Sequence, residues 1–213
     1  MQKSYTQKIF LAVGALTAWV AIILQLVLIL QNRMAPVPET IIRFFSYFTI
    51  LTNIIVAISF TINLVATNMN KNSFWFRNSG KTAILIYILV VGIVYNLVLR
   101  QLWTPTGLQK IADELLHVAT PLLYLLYWIF FTPKQLLQWK FAFRWLLYPF
   151  IYLLFILIRG TFSNFYPYPF VDVFNHGYQK VLVNSFYVLL LFLVLSVVFI
   201  ASTRLLSGRK IIG

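Results

Sequence analysis

Apolar positions gather into six stretches, at about 9–31, 43–66, 82–102, 114–131, 143–160 and 180–203, each long enough or nearly so for the roughly 20 residues of a spanning helix. Polar positions are pushed into the connections. These read NRMAPVPE after the first stretch, TNMNKNSFWFRNSGK after the second, TPTGLQK after the third and FTPK after the fourth. The pattern predicts an all-α integral membrane protein, a bundle of six transmembrane helices forming a single domain over 1–213. The first stretch follows Lys3 and Lys8 but lacks a small-residue cleavage pattern, so it reads as a retained span rather than a secretory signal. No internal repeat or low-complexity tract interrupts the series.

Composition sharpens this reading. The 213 residues are 61% hydrophobic and 10% charged, against about 45–50% and about 25% in soluble domains. The absence of cysteine removes disulfides, thiolate nucleophiles and sulfur-ligated metals from consideration. A net charge of +13 would suggest nucleic acid in a soluble protein, but here topology accounts for most of the basic residues. With a cytoplasmic N-terminus, the inner segments carry Lys3, Lys8, Lys71, Arg77, Lys81, Lys134, Lys140, Arg144, Arg204, Arg209 and Lys210. The outer ones carry Arg33, Arg43, Arg100, Lys110, Arg159 and Lys180. This split of 11 to 6 puts both termini inside. All four acids, Glu39, Asp113, Glu114 and Asp172, then fall on the outer side. Spread over several cytoplasmic segments, the basic residues do not make a nucleic-acid surface.

Polar residues within the spans concentrate toward the same side. Gln25, Ser46, Thr49, Thr52, Asn53, Asn96, Arg100, His117, Arg159 and Asn184 lie in the outer half or at its rim, which predicts a polar cavity opening toward the outer leaflet. Two groups within this set carry candidate chemistry. In RFFSYFTILTNIIVAIS, residues 43–59, Ser46, Thr49 and Asn53 recur on one helical stripe with Thr52 beside it. Such hydroxyls commonly bond their own helix or join two helices. In DELLH, residues 113–117, His117 is four residues from Asp113 and three from Glu114, within reach of either carboxylate. A carboxylate on one ring nitrogen would fix the tautomer and leave the other nitrogen as a base. The plainer reading makes the two acids a cap on the fourth span. Counted at about 1.5 Å per residue from the span starts, Thr49 and His117 sit at one depth, roughly 4 to 8 Å below the outer boundary.

Six spans with YFTILTN on the second, ELLHVATPLLYLLYW on the fourth and YPYPFVD before the sixth resemble the androgen-induced-gene family of membrane proteins, most closely its bacterial six-span relatives. Animal members of that family hydrolyse fatty acid esters of hydroxy fatty acids with a threonine on the second span and a histidine on the fourth. The resemblance implies Thr49 as nucleophile, with Thr52 as the fallback one turn on, and His117 as base. It implies a multi-pass protein of the bacterial cytoplasmic membrane that acts on a lipid ester without a cofactor. Asn53, Asn96 or Arg100 would donate to the oxyanion, and Asp113, Glu114 and Asp172 would complete the polar surroundings.

The segment NFYPYPFVDVFNHGYQK, residues 164–180, reads as a re-entry loop at headgroup level, with a lid over the cavity as its functional rival. Asp172 and His176 together with Asp113, Glu114 and His117 could in principle ligate a divalent ion, but two histidines without short-range pairing are a weak metal signal, and none is assigned. A non-catalytic module binding a lipid or a partner protein, and a small transporter, remain the other classes.

Overall fold

The computed structural model describes residues 3–66, 73–102 and 104–208; Lys71, Arg209 and Lys210, counted above for topology, lie outside them. Every regular element among the described residues is helical. Six helical segments are long and apolar enough to cross a membrane: Tyr5–Gln31, Phe48–Val65, Asn78–Gln101, Gly107–Phe131, Lys140–Ser163 and Val173–Ser207.

Contacts group the chain into two compact units, Met1–Pro133 and Lys134–Gly213, where the sequence suggests one six-span domain. The first unit begins with α1 (Tyr5–Gln31), whose orphan N–H groups are partly satisfied by Ser4, its hydroxyl accepting from the Gln7 N–H at 3.2 Å. The short amphipathic α2 (Val37–Phe44) follows and is clipped by the Arg43–Glu39 pair at 2.8 Å. α3 (Phe48–Val65) packs along α1. Next comes α4 (Asn78–Leu97), whose residues Ala83 to Ile88 are almost wholly buried. A helix apolar on every side belongs inside a bundle, and α4 packs against both α3 and the fourth spanning segment.

The second spanning segment is shorter than the sequence suggests. Residues 43–47 do not continue α3: the chain turns there, and the Ser46 hydroxyl donates to the Ile42 carbonyl at 2.7 Å. Ser46 is thus satisfied at the end of α2 and leaves the stripe formed by Thr49 and Asn53. The fourth segment is longer than expected, comprising α5 (Gly107–Glu114), a π-helical turn at Leu115–Ala119 and α6 (Thr120–Phe131). The polar α5 is anchored to α1 by Gln109, whose amide donates to Gln25 Oε1 at 2.9 Å.

The second unit holds α7 (Lys140–Arg144), α8 (Leu147–Ser163) and α9 (Val173–Gly208), with Gly177 at φ 71° breaking α9 after its first turn. The YPYP segment is an ordered connection. Tyr168 and Phe170 stack at 5.3 Å, Tyr166 lies against Gly160, and Asn184 donates to the Phe170 carbonyl at 3.1 Å.

Candidate functional site

The π turn on the fourth segment organises the site, and Pro121 explains it. A proline has no N–H, so the α-helical bond to the carbonyl four residues earlier, that of His117, cannot form. The Thr120 N–H shifts register and donates to Leu115 O, five residues back. The carbonyls of Leu116 and His117 must therefore find donors elsewhere. Two asparagines supply them: Asn53 Nδ2 on α3 donates to Leu116 O at 3.3 Å and Asn96 Nδ2 on α4 to His117 O at 3.4 Å. Each amide also donates to the carbonyl one turn back on its own helix, Asn53 to Thr49 O and Asn96 to Gly92 O. Gly92 permits the close approach, since a Cβ there would stand 3.1 Å from His117 O.

This bracing sets the environment of His117, which is 8% exposed. Its ring stacks on Tyr95, centroids 3.7 Å apart and planes 11° from parallel. Nδ1 lies 2.9 Å from the Asp113 carbonyl and 3.9 Å from Asp113 Oδ1. A carbonyl only accepts, so in the neutral ring Nδ1 carries the proton and donates, and Nε2 holds the lone pair. Asp113 is held in turn by Tyr95, whose hydroxyl donates to Oδ2 at 3.0 Å.

The two acids of DELLH divide their tasks. Because the helix starts at Gly107, Asp113 and Glu114 are its seventh and eighth residues, which overturns the reading of this pair as a cap on the first turn. Asp113 belongs to the histidine cluster, while Glu114 pairs with Arg100 at 2.8 Å, and the Arg100 guanidinium lies 5.4 Å from the centre of the Tyr95 ring. With both partners about 40% exposed, water screens that pair and it contributes little to stability.

The structure links Thr49 to the fourth segment through Asn53, one turn along α3, which is bonded to Thr49 O on its own helix and to the carbonyl of the residue before His117 on the other. The ring hydrogen bond of His117 runs to Asp113 rather than to Thr49. Thr49 keeps 8% of its surface exposed, whereas Thr52 and Asn53 have none. No water-sized space touches either of the latter, so they do not line the open cavity expected from their depth. The oxyanion roles considered for Asn53 and Asn96 are also corrected, because their amide donors are spent on backbone carbonyls. Asn53 Oδ1 and Thr120 Oγ1 stay buried without a hydrogen-bond partner. At the N-terminus of α3, burial pushes the Tyr47 phenol above its ordinary pKa, with Arg43 acting in the opposite sense.

Asp172 has its bonds within its own unit. It lies in the second unit, where its carboxylate accepts from the Asn175 N–H at 3.2 Å and from Asn175 Nδ2 at 2.7 Å and so caps the start of α9. Among the described residues no three His, Asp or Glu side chains are grouped to hold a metal ion. Sequence reasoning missed Tyr95 and Pro121. The proline was readable as a break four residues after the histidine; nothing in the local pattern marked the tyrosine. No family model, curated protein or solved structure matches the chain.

Proposed function

We propose that the protein is an intramembrane hydrolase of fatty-acyl esters, with Thr49 as nucleophile and His117 as general base, and that it is a bacterial six-span relative of the androgen-induced-gene family. The observation that carries this reading is the bonding of the His117 ring, whose Nδ1 lies 2.9 Å from the Asp113 carbonyl. With its Nδ1–H committed to the Asp113 carbonyl, the neutral ring keeps Nε2 as an acceptor, on the segment that Asn53 ties to α3. In the reaction the Thr49 hydroxyl proton passes to Nε2 as Oγ attacks the ester carbonyl. The imidazolium then returns that proton to the departing alkoxide, leaving an acyl-threonine. Water attacks the acyl-threonine, giving one proton to Nε2, and the carboxylic acid leaves as Thr49 is reprotonated. Arg100, at the rim, is the remaining candidate for charge stabilisation, since its guanidinium has further N–H groups beyond the one on Glu114. The reaction requires Thr49 Oγ within about 3 Å of Nε2, a contact that catalytic pairs often form only when substrate is bound.

The basic-residue split favours cytoplasmic termini in the cytoplasmic membrane, so the site faces the outer leaflet and takes its lipid ester from there. A reporter fused to the C-terminus should be accessible only from the cytoplasm; an external signal would reverse the sidedness of the substrate.

A second reading, a non-catalytic lipid-binding protein, is favoured by the structural use of Asn53 and Asn96. Purified protein incubated with a fatty-acyl ester separates the two. Steady release of free acid that is lost in Thr49→Ala and kept in Thr52→Ala is expected of the hydrolase. Saturable ester binding with no acid released would leave the binding protein, and loss in Thr52→Ala alone would move the nucleophile one turn along α3.

A further inference from the structure

Between the first two spans the chain forms α2 (Val37–Phe44), eight residues that rise only about 12 Å and cannot cross a membrane. It is nonetheless a built helix. Proline stands in its first turn, the Thr40 hydroxyl donates to the Ala35 and Pro36 carbonyls at 3.1 Å, and Arg43 Nε donates to Glu39 at 2.8 Å. The spanning helices on either side end at Gln31 and begin at Phe48, so α2 lies at the level where two adjacent spans leave the hydrocarbon.

At about 100° per residue the side chains of α2 sort into three arcs. Thr40 and Phe44 form the first and are buried. Glu39 and Arg43, paired with each other, form the second. Val37, Ile41, Ile42 and, just past the helix end, Phe45 form the third, between 39% and 51% exposed, with Pro38 exposed among them. A surface helix of a soluble domain turns its main apolar arc inward. Here the protein takes the narrow arc of Thr40 and Phe44, and the wide apolar arc faces out.

Two observations say what covers that arc. The charged side chains lie beside it rather than among it, which is the order met on passing from acyl chains to headgroups. The arc also continues a lipid-facing surface. On α1, Leu16, Val20, Ile23 and Val27 are exposed at spacings of three and four along a spanning helix, and α2 follows the end of that helix and packs against it. A protein partner fits less well, because each side of a stable interface presents about 20 to 30 residues and this arc offers five.

We propose that α2 is an interfacial helix lying in the membrane plane, with Val37, Ile41, Ile42 and Phe45 seated among lipid acyl chains and Glu39 and Arg43 among the headgroups. It ties the turn before α3 to the bilayer surface. This lipid contact is separate from the ester chemistry and does not depend on it.

The chain has no cysteine, so single cysteines carrying a nitroxide report without background. Val37→Cys, Ile41→Cys, Ile42→Cys, Glu39→Cys and, as a reference on a spanning helix, Ile23→Cys are labelled in the full-length protein and reconstituted in vesicles of phosphatidylcholine and phosphatidylglycerol. Power-saturation EPR compares collisions with oxygen, which concentrates among acyl chains, and with a water-soluble nickel chelate. The three arc labels should meet oxygen and be shielded from nickel, at a depth of about 5 to 10 Å into the boundary between headgroups and chains. The label at Ile23 should lie deeper and the one at Glu39 should be open to nickel. Nickel access at the arc equal to that at Glu39 would place α2 in water and overturn the proposal. Arc labels shielded from both reagents would mean a protein cover, and spectral broadening that disappears on dilution with unlabelled protein would seat a second copy there; either result overturns it too. Any two arc positions decide the outcome, so a single variant that does not fold leaves the test intact.

Discussion

His117→Phe is expected to lower ester hydrolysis by about a thousandfold while the protein stays folded. A member of a nucleophile and base pair, once removed, takes nearly the whole effect of the pair with it. Phenylalanine is the sharper substitution because it keeps an aromatic ring on Tyr95, where His117 stacks at 3.7 Å, while removing both ring nitrogens. Alanine would also lose that stack, about 0.5 to 1.5 kcal/mol, and would mix stability with chemistry. Thr49→Ala should fall to the same low level, and the double variant should fall no further. Melting temperature and acid release measured on the same preparations check this. Retention of more than about a tenth of the parental rate in His117→Phe would remove the histidine from the chemistry.

Asn53→Asp should produce the largest loss of stability in the first unit. Asn53 is fully buried, and its amide nitrogen serves both Thr49 O and Leu116 O. Aspartate keeps the size and removes both donors. The Leu116 carbonyl, already deprived of a helical partner by the register shift before Pro121, is then orphaned, at about 1 to 3 kcal/mol. In addition a carboxylate must be buried between two carbonyl oxygens, or protonated to avoid it. Asn53→Leu isolates the first of these effects and should cost less. Thermal denaturation in detergent ranks them: parental first, then Asn53→Leu, then Asn53→Asp. Equal stability of all three would mean that the α3 bridge to the π turn contributes nothing.

Pro121→Ala tests how the bulge positions the base. Alanine restores an N–H four residues after His117 and lets the helix close into the α register, which turns one side of the bulge against the other by about 100°. The variant should be at least as stable as the parent and should lose about tenfold or more in ester hydrolysis, as a base moved by about 1 Å does. Parental activity would show that the bulge is incidental to the chemistry.

Much of this arrangement was legible in the chain. Spans are legible because a membrane helix declares itself by length and apolarity, and all six stretches recur as helices. Counting residues inward from the same end puts Thr49 and His117 at one depth, and Asn53, one turn from Thr49, meets the Leu116 carbonyl across the two helices. The surroundings of the pair were not legible. Asn53 and Asn96 look like catalytic donors in sequence, but a hydrogen-bonding amide in hydrocarbon serves whichever buried acceptor is nearest, and here that is a carbonyl freed by Pro121. The DE pair resembled a cap because hydropathy alone cannot show a polar helix such as Gly107–Glu114 extending beyond the apolar stretch. Tyr95 was invisible because its partners, Asp113 and His117, lie on another helix at separations that no local pattern records.

The most direct measurement of the central claim is the site of covalent labelling by a fluorophosphonate bearing a long alkyl chain. Attack by an activated hydroxyl expels fluoride and leaves a stable phosphonyl ester on the nucleophile, which peptide mass spectrometry locates. The account predicts one adduct, on Thr49, that is absent from His117→Phe and blocks ester hydrolysis in proportion to its yield. Hydrolysis that continues with Thr49 unlabelled, or an adduct on Thr52 or any other residue, would contradict it.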